Sequence, residues 1–131
     1  MNRKTPRNQV NGAERSSIIR IVYEESAVIK VSVMYPATEG AIFDHDYYRD
    51  VHMPLAQEKL GAACICYEVD KGISGAQPGS AAPYVAMCHL FCESVEAFAA
   101  AMAAHGTDIA ADIINFTDLT PLIQISEIVE P

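Results

Sequence analysis

The chain has 131 residues, and half of them are hydrophobic, which fits one globular domain with its own core. The 17 acidic residues outnumber the 9 basic residues, so the formal net charge is −8. This balance argues against a nucleic-acid groove and against docking on an anionic membrane, because both need a basic surface.

The charge is distributed unevenly along the chain. Residues 1–27 hold five basic and three acidic residues, and we interpret them as a flexible N-terminal extension. The alternative is that Ile18–Tyr23 adds a strand to a sheet edge. Residues 28–131 hold four basic and fourteen acidic residues and form the folded domain. The apolar runs are too short for a signal peptide or a membrane-spanning helix, so we expect a cytoplasmic protein whose cysteines are free thiols.

The first half of the domain predicts a strand and then a helix. Residues 28–35 are rich in β-branched side chains, and Pro36 ends the strand because it cannot donate to the ladder. Asp44 is expected to cap the helix. Pro54 predicts a kink or break, because the Asp50 carbonyl loses its donor there. Gly61 is expected to end the helix.

The second half predicts two strands, a helix, a short further helix and a last strand. Ser94 is expected to cap the longer helix, His105-Gly106 to end it, and Thr107 or Asp108 to start the short one. The strands are predicted at residues 62–70, 84–92 and 122–129. A loop at residues 71–83 joins the first two of them.

This order is that of the α+β, ferredoxin-like βαββαβ plan, a four-stranded antiparallel sheet with helices on one face. Residues 84–92 are apolar on both strand faces, which indicates a sheet covered on both sides. A second copy that stacks sheet on sheet is the simplest cover, so we expect a homodimer.

The segment from Phe43 to Leu55 holds the densest polar cluster of the chain. Its pattern, Phe43-Asp44, Tyr47-Tyr48 and His52-Met53-Pro54-Leu55, resembles the EthD family, named for ethyl tert-butyl ether degradation. Further matching runs are Tyr35-Pro36, Gly40, residues 67–69, residues 83–86 and residues 123–127. The resemblance covers about residues 28–129.

The resemblance implies a dimeric α/β barrel, with a small-molecule pocket between sheet and helices and no cofactor. It implies a protein that binds, or helps to convert, an apolar oxygen-containing compound in xenobiotic catabolism, beside an oxygenase system. One alternative is a cofactor-independent oxidoreductase or isomerase. The other is a non-catalytic dimerisation module.

His52 is the candidate proton carrier, because histidine titrates near neutral pH. Tyr48 lies one helical turn earlier, close enough to contact the same ligand. The alternative for His52 is a hydrogen bond to the backbone carbonyl that Pro54 leaves without a donor.

Four further side chains are candidates for binding substrate: Tyr35, Tyr67, Tyr84 and His89. The tyrosine hydroxyls would orient an otherwise apolar ligand if they face one cavity. The alternative is ordinary strand packing for the tyrosines and a satisfied core position for the histidine.

The cysteines are the only candidates for metal binding. A hairpin around residues 71–83 would bring Cys66 near Cys88, with Cys92 or His89 nearby. We expect no metal, because structural zinc sites take their cysteines from turns and not from flat strands. Small apolar fillers are the simpler interpretation. The sequence also holds no phosphate-binding, serine-hydrolase or zinc-protease motif.

Overall fold

The structure, a computed structural model, describes residues 28–131, and the predicted extension at residues 1–27 lies outside this range. Four strands form one antiparallel sheet in the order β2-β3-β1-β4. Their bounds are Ile29–Pro36 (β1), Cys64–Lys71 (β2), Tyr84–Cys92 (β3) and Leu122–Glu127 (β4). The ferredoxin-like prediction is therefore confirmed. The predicted strand at residues 62–70 starts later, because Gly61–Ala63 form a 3-10 turn.

The first helix, α1, is one continuous segment with three parts. It comprises an α-helical turn at His45–Tyr47, a π-helical turn at Tyr48–His52 and an α-helix at Met53–Leu60. The Asp44 carboxylate accepts a hydrogen bond from the Tyr47 amide at 3.1 Å, which confirms the cap. Gly61 follows with a φ of 60°, a positive value that favours glycine, and ends the helix as predicted.

Pro54 perturbs α1 without breaking it. The Met53 amide donates to the Tyr48 carbonyl, five residues earlier, so the widened turn lies directly before the proline. A π turn of this kind absorbs the missing donor and the bulk of the proline ring. The predicted kink or break is therefore a local widening of the helix.

The second helix, α2, runs without interruption over Val95–Ala111, and a short 3-10 turn follows at Ile113–Asn115. The Ser94 hydroxyl accepts from the Ala97 amide at 3.0 Å, as predicted. The prediction that the helix ends at His105-Gly106 was wrong. Glycine costs an interior helix position only about 1 kcal/mol, which the packing of the neighbouring turns outweighs here.

A β-bulge changes the faces predicted for β2. The register shifts between Cys64 and Cys66, so Cys64 pairs with Cys92 whereas Cys66 pairs with Phe91. The expected proximity of Cys66 and Cys88 was therefore wrong, since Cys88 pairs with Val69.

The core lies between the sheet and the two helices. Its largest fully buried side chains are Tyr35, Tyr48, Phe116, Met53, Val31 and Cys92. The other sheet face carries the alternate residues of each strand, and no helix within residues 28–131 packs on it. Among the described residues, no helix is long and apolar enough to cross a membrane.

Candidate functional site

An apolar cavity of about 110 Å³ lies between the sheet and the two helices. Central strands β1 and β3 form its floor, and α1 and α2 form its sides. Its lining includes Tyr48, His52, Cys88, Met102, Ile109 and Ile123. Ile123 lies on edge strand β4 and is 58% exposed, so the cavity meets the surface there.

The hydroxyl of Tyr48 is the unusual polar group of this cavity. The side chain is 1% exposed, and the hydroxyl has no hydrogen-bond partner in the described part of the chain. The Cys88 thiol lies beside it, but the two atoms do not meet the geometry of a hydrogen bond. An unpaired buried hydroxyl costs about 1–3 kcal/mol, so a ligand that pairs with it gains that energy back.

Burial keeps these two groups neutral. Desolvation raises the pKa of Tyr48 far above its ordinary value, so the phenol keeps its proton. Desolvation likewise raises the pKa of the Cys88 thiol to about 11. The cavity therefore offers a hydroxyl that can donate or accept, and a protonated thiol, within apolar walls.

His52 lies beside Tyr48 and is held by a carboxylate. Its Nδ1 lies 2.9 Å from Oδ2 of Asp112, and its side chain is 6% exposed. The His52 ring stacks on the Tyr48 ring, with a centroid distance of 5.6 Å and an interplanar angle of 16°. Desolvation lowers the pKa of His52, although the hydrogen bond to Asp112 opposes that effect. The neutral imidazole then donates Nδ1–H to Asp112 and keeps its lone pair on Nε2.

Asp112 is the centre of a small hydrogen-bond network. Its Oδ1 accepts from the Tyr47 hydroxyl at 2.7 Å and from the side-chain amide of Asn115 at 2.9 Å. Burial raises the pKa of Asp112, but the hydrogen bonds from Asn115, Tyr47 and His52 outweigh burial and hold the pKa below its ordinary value. A charged carboxylate therefore fixes the orientation of the His52 ring.

The structure brings together only part of the predicted substrate-binding set. Tyr48 and His52 line the cavity. Tyr35 is buried behind them, with its ring 5.7 Å from that of Tyr48. Tyr67 packs against the core from β2, and Tyr84 lies half-buried at the start of β3, and neither lines the cavity.

His89 lies on the other face of the sheet. Its Nδ1 is 2.8 Å from the Ser32 hydroxyl, and its Nε2 is 3.1 Å from Asp70. It is thus a satisfied histidine, which was the alternative interpretation, and it does not line the cavity. His52 bonds Asp112 and not a backbone carbonyl, so the alternative for His52 was wrong.

Sequence reasoning missed Asp112 and the α2 side of the cavity. Asp112 and the last part of the α2 side, Ile109 and Ile113, lie beyond Gly106, where the longer helix was predicted to end. Phe98, Met102, Ile109 and Ile113 continue one apolar stripe through the glycine, and this spacing was the available signal. No group of three His, Cys, Asp or Glu side chains within residues 28–131 is placed to hold a metal ion.

Comparison with known proteins relates this chain to one family. The family model described as the EthD domain matches residues 42–120. The crystal structure of an EthD-like protein from Ralstonia eutropha JMP134 is 52% identical, with a TM-score of 0.78 over 80% of this chain and 95% of that chain. An ethyl tert-butyl ether degradation (EthD) family protein from Bacillus halodurans C-125 is 22% identical and shows the same fold, with a TM-score of 0.58 over 76% and 97% of the two chains. No curated protein matches the chain.

Proposed function

Because the chain belongs to the EthD family, we propose that it binds an apolar, oxygen-containing small molecule in the cavity beside Tyr48. The unpartnered, buried hydroxyl of Tyr48 carries this proposal. An oxygen atom of the ligand pairs with that hydroxyl, while the body of the ligand packs on the apolar walls. Small-molecule sites commonly combine apolar walls with a few polar groups that fix orientation.

The size of the cavity limits the ligand. An engineered apolar cavity of about 150 Å³ in another protein binds benzene. The cavity here measures about 110 Å³ and opens at Ile123, so it fits a small ring or a short branched ether. Larger ligands would have to extend past the β4 edge into solvent.

A binding screen with paired compounds tests the proposal. Small phenols, quinones and ethers, each with its hydrocarbon analogue, are titrated into the protein and followed by NMR. Tyr48→Phe should lower the affinity for the oxygen-containing compounds roughly tenfold, which is the contribution of one net hydrogen bond. It should leave the affinity for their hydrocarbon analogues unchanged. Tyr84→Phe, on β3 outside the cavity, is the control and should change neither. Equal affinities in Tyr48→Phe and the wild type would contradict the proposal.

A second candidate function is proton transfer by a cofactor-independent oxidoreductase or isomerase. The His52–Asp112 hydrogen bond favours it, because a carboxylate that holds Nδ1 leaves Nε2 as the base. In this scheme Nε2 takes a proton from the ligand while the Tyr48 hydroxyl stabilises the charge that develops on the ligand oxygen.

Turnover of quinols and lactones tests this second candidate. His52→Ala should abolish the rate, and His105→Ala, a half-buried position on α2, should retain it. If the wild type binds these compounds but does not turn them over, the enzymatic proposal is wrong and the binding function stands. A rate that survives in His52→Ala would remove His52 from the mechanism.

We also propose that the helix-free sheet face forms a homodimer. Phe91 is buried on this face, Met34 and Met87 are half-buried, and Leu122 is 53% exposed. Light scattering should give the mass of two chains. Met87→Asp should shift the protein to one chain, whereas Ile73→Asp, at a loop position that is 93% exposed, should not. A wild-type protein with the mass of one chain would contradict the proposed homodimer.

We further propose a cytoplasmic role beside an oxygenase in xenobiotic catabolism. The four free thiols support a reducing compartment. Membership of the EthD family supports the role. A strain that lacks this protein should lose growth on an ether as its carbon source. Expression of the wild-type protein should restore growth, whereas expression of the Tyr48→Phe variant should not. Full growth of the deletion strain would contradict the role.

A further inference from the structure

Two buried cysteines face each other at one end of the sheet and take no part in the cavity. Cys64 is the first residue of β2, and Cys92 is the last residue of β3. The two are directly paired across the strands, with exposed fractions of 5% and 0%. Neither residue lines the cavity described above.

The local ladder makes this pair suitable for a covalent link. The Glu93 amide donates to the Ala63 carbonyl at 3.2 Å, one residue outside the cysteine pair. Cys64 and Cys92 therefore occupy a non-hydrogen-bonded position, where opposite Cα atoms lie about 4.5 Å apart. Disulfides span Cα distances of about 4.4–6.8 Å, so a bond can form here without moving the strands.

The two thiols already interact. The neighbouring Cys92 thiol and burial raise the pKa of Cys64, whereas the neighbouring Cys64 thiol lowers the pKa of Cys92. The Cys64 S–H itself donates to the Cys66 carbonyl at 3.5 Å, and Cys92 is the direct partner of Cys64 across the strands. Cys92 is then the member of the pair that loses its proton more readily, and a thiolate is the reactive form of a cysteine.

We propose that Cys64 and Cys92 form a modification site, at which a small peroxide produces a reversible intrachain disulfide. The Cys92 thiolate attacks one peroxide oxygen, the O–O bond breaks, and Cys92 becomes a sulfenic acid while the other oxygen leaves as water after taking up a proton. The Cys64 sulfur then attacks the Cys92 sulfur and displaces hydroxide. In total, two thiols and one hydrogen peroxide give one disulfide and two waters.

The position of the pair explains how an oxidant reaches it and what the bond would change. The pair is the last register pair of the β2–β3 ladder, with one further backbone hydrogen bond beyond it, and the ends of ladders open at low free-energy cost. Cys64 follows α1 through Gly61–Ala63, and Cys92 precedes the Ser94 cap of α2. The disulfide therefore ties together the points where the two cavity-forming helices join the sheet. The site does not depend on the ligand proposed for that cavity.

Peptide mapping of the wild-type protein tests the proposal directly. The reduced chain is treated with one equivalent of hydrogen peroxide and digested without reductant. We expect the loss of two hydrogen atoms in the intact mass, a fall from four titratable thiols to two, and a Cys64–Cys92 linked peptide that dithiothreitol removes. No variant is required, so failure of a variant to fold cannot obscure the result.

Matched variants assign the two roles. Cys64→Ala should leave a sulfenic acid at Cys92 that dimedone traps, and Cys92→Ala should form neither product. Cys66→Ala and Cys88→Ala should both still form the disulfide, because these residues pair with Phe91 and Val69 through other register positions. A linked peptide that contains Cys66 or Cys88, a disulfide between two chains, or oxidation to sulfinic acid without a linked peptide would overturn the proposal.

Discussion

Asp112→Ala is the sharpest test of the network beside the cavity. The carboxylate accepts three side-chain hydrogen bonds, from Tyr47, Asn115 and His52. Tyr47 is half-buried and Asn115 is exposed, so water can replace Asp112 for both at little cost. His52 is 5% exposed, and its Nδ1 would remain without a partner.

The magnitude follows from that difference in burial. A buried polar group that loses its partner costs about 1–3 kcal/mol, and the two hydrogen bonds to more accessible groups add up to about 1 kcal/mol. We expect Asp112→Ala to lower the free energy of unfolding by about 2–4 kcal/mol. For a domain of this size, this corresponds to a fall in Tm of roughly 10 °C.

Urea unfolding followed by circular dichroism measures the change, at one protein concentration for all variants because dimerisation contributes to stability. Asp108→Ala is the matched control, because Asp108 lies one turn earlier on α2 and pairs with Lys59 at 3.4 Å on the surface. We expect a loss below about 0.5 kcal/mol in the control. If Asp112→Ala matched the control, the network would not hold His52 in place.

Three further predictions use single features of the fold. Tyr48→Phe should raise the Tm of the ligand-free protein, because it removes an unpaired buried hydroxyl, and a fall in Tm would show that the hydroxyl is paired. Gly61→Ala should lower the free energy of unfolding by about 1–2 kcal/mol. The φ of Gly61 is 60°, and a Cβ placed there would meet no atom within 4 Å, so the cost is backbone strain alone. An unchanged urea midpoint would contradict this prediction. Since burial lowers the pKa of His52, the unfolded chain binds the proton at a higher pH than the folded chain does. The His52 contribution should therefore be complete above the unfolded pKa of about 6.5 and be lost as the pH falls below it; a His52→Gln variant with the same pH profile would refute this assignment.

The sequence predicts the layers of the fold because their signals are local. Asp44 and Ser94 cap their helices by bonding amides three residues later, and a side chain that reaches its own backbone is visible in a short segment. The strand pattern of β3 was equally local, and its predicted bounds match those in the structure.

The site depends on long-range contacts, and these were not predicted. Asp112 and His52 are 60 residues apart along the chain, and their contact exists only because α2 continues past Gly106. The register of Cys64 and Cys92 depends on a bulge, and nothing in the composition of β2 marks where a bulge falls. In each case tertiary packing decided between two local conformations of similar energy.

Two residues that break the local helix rules shape the cavity: Gly106 lines it, and the exposed Pro54 directly follows a π turn that lines it. Pro54 cannot donate to the ladder, and the π turn that it imposes begins at Tyr48 and ends at His52. Gly106 weakens α2, but a Cβ there would meet the Met102 side chain at 3.1 Å, on the wall of the cavity. A regular α-helical α1 and an alanine at position 106 would both stabilise the helices, but they would change the shape of the cavity. We therefore infer that these irregularities serve the cavity and not the stability of the fold.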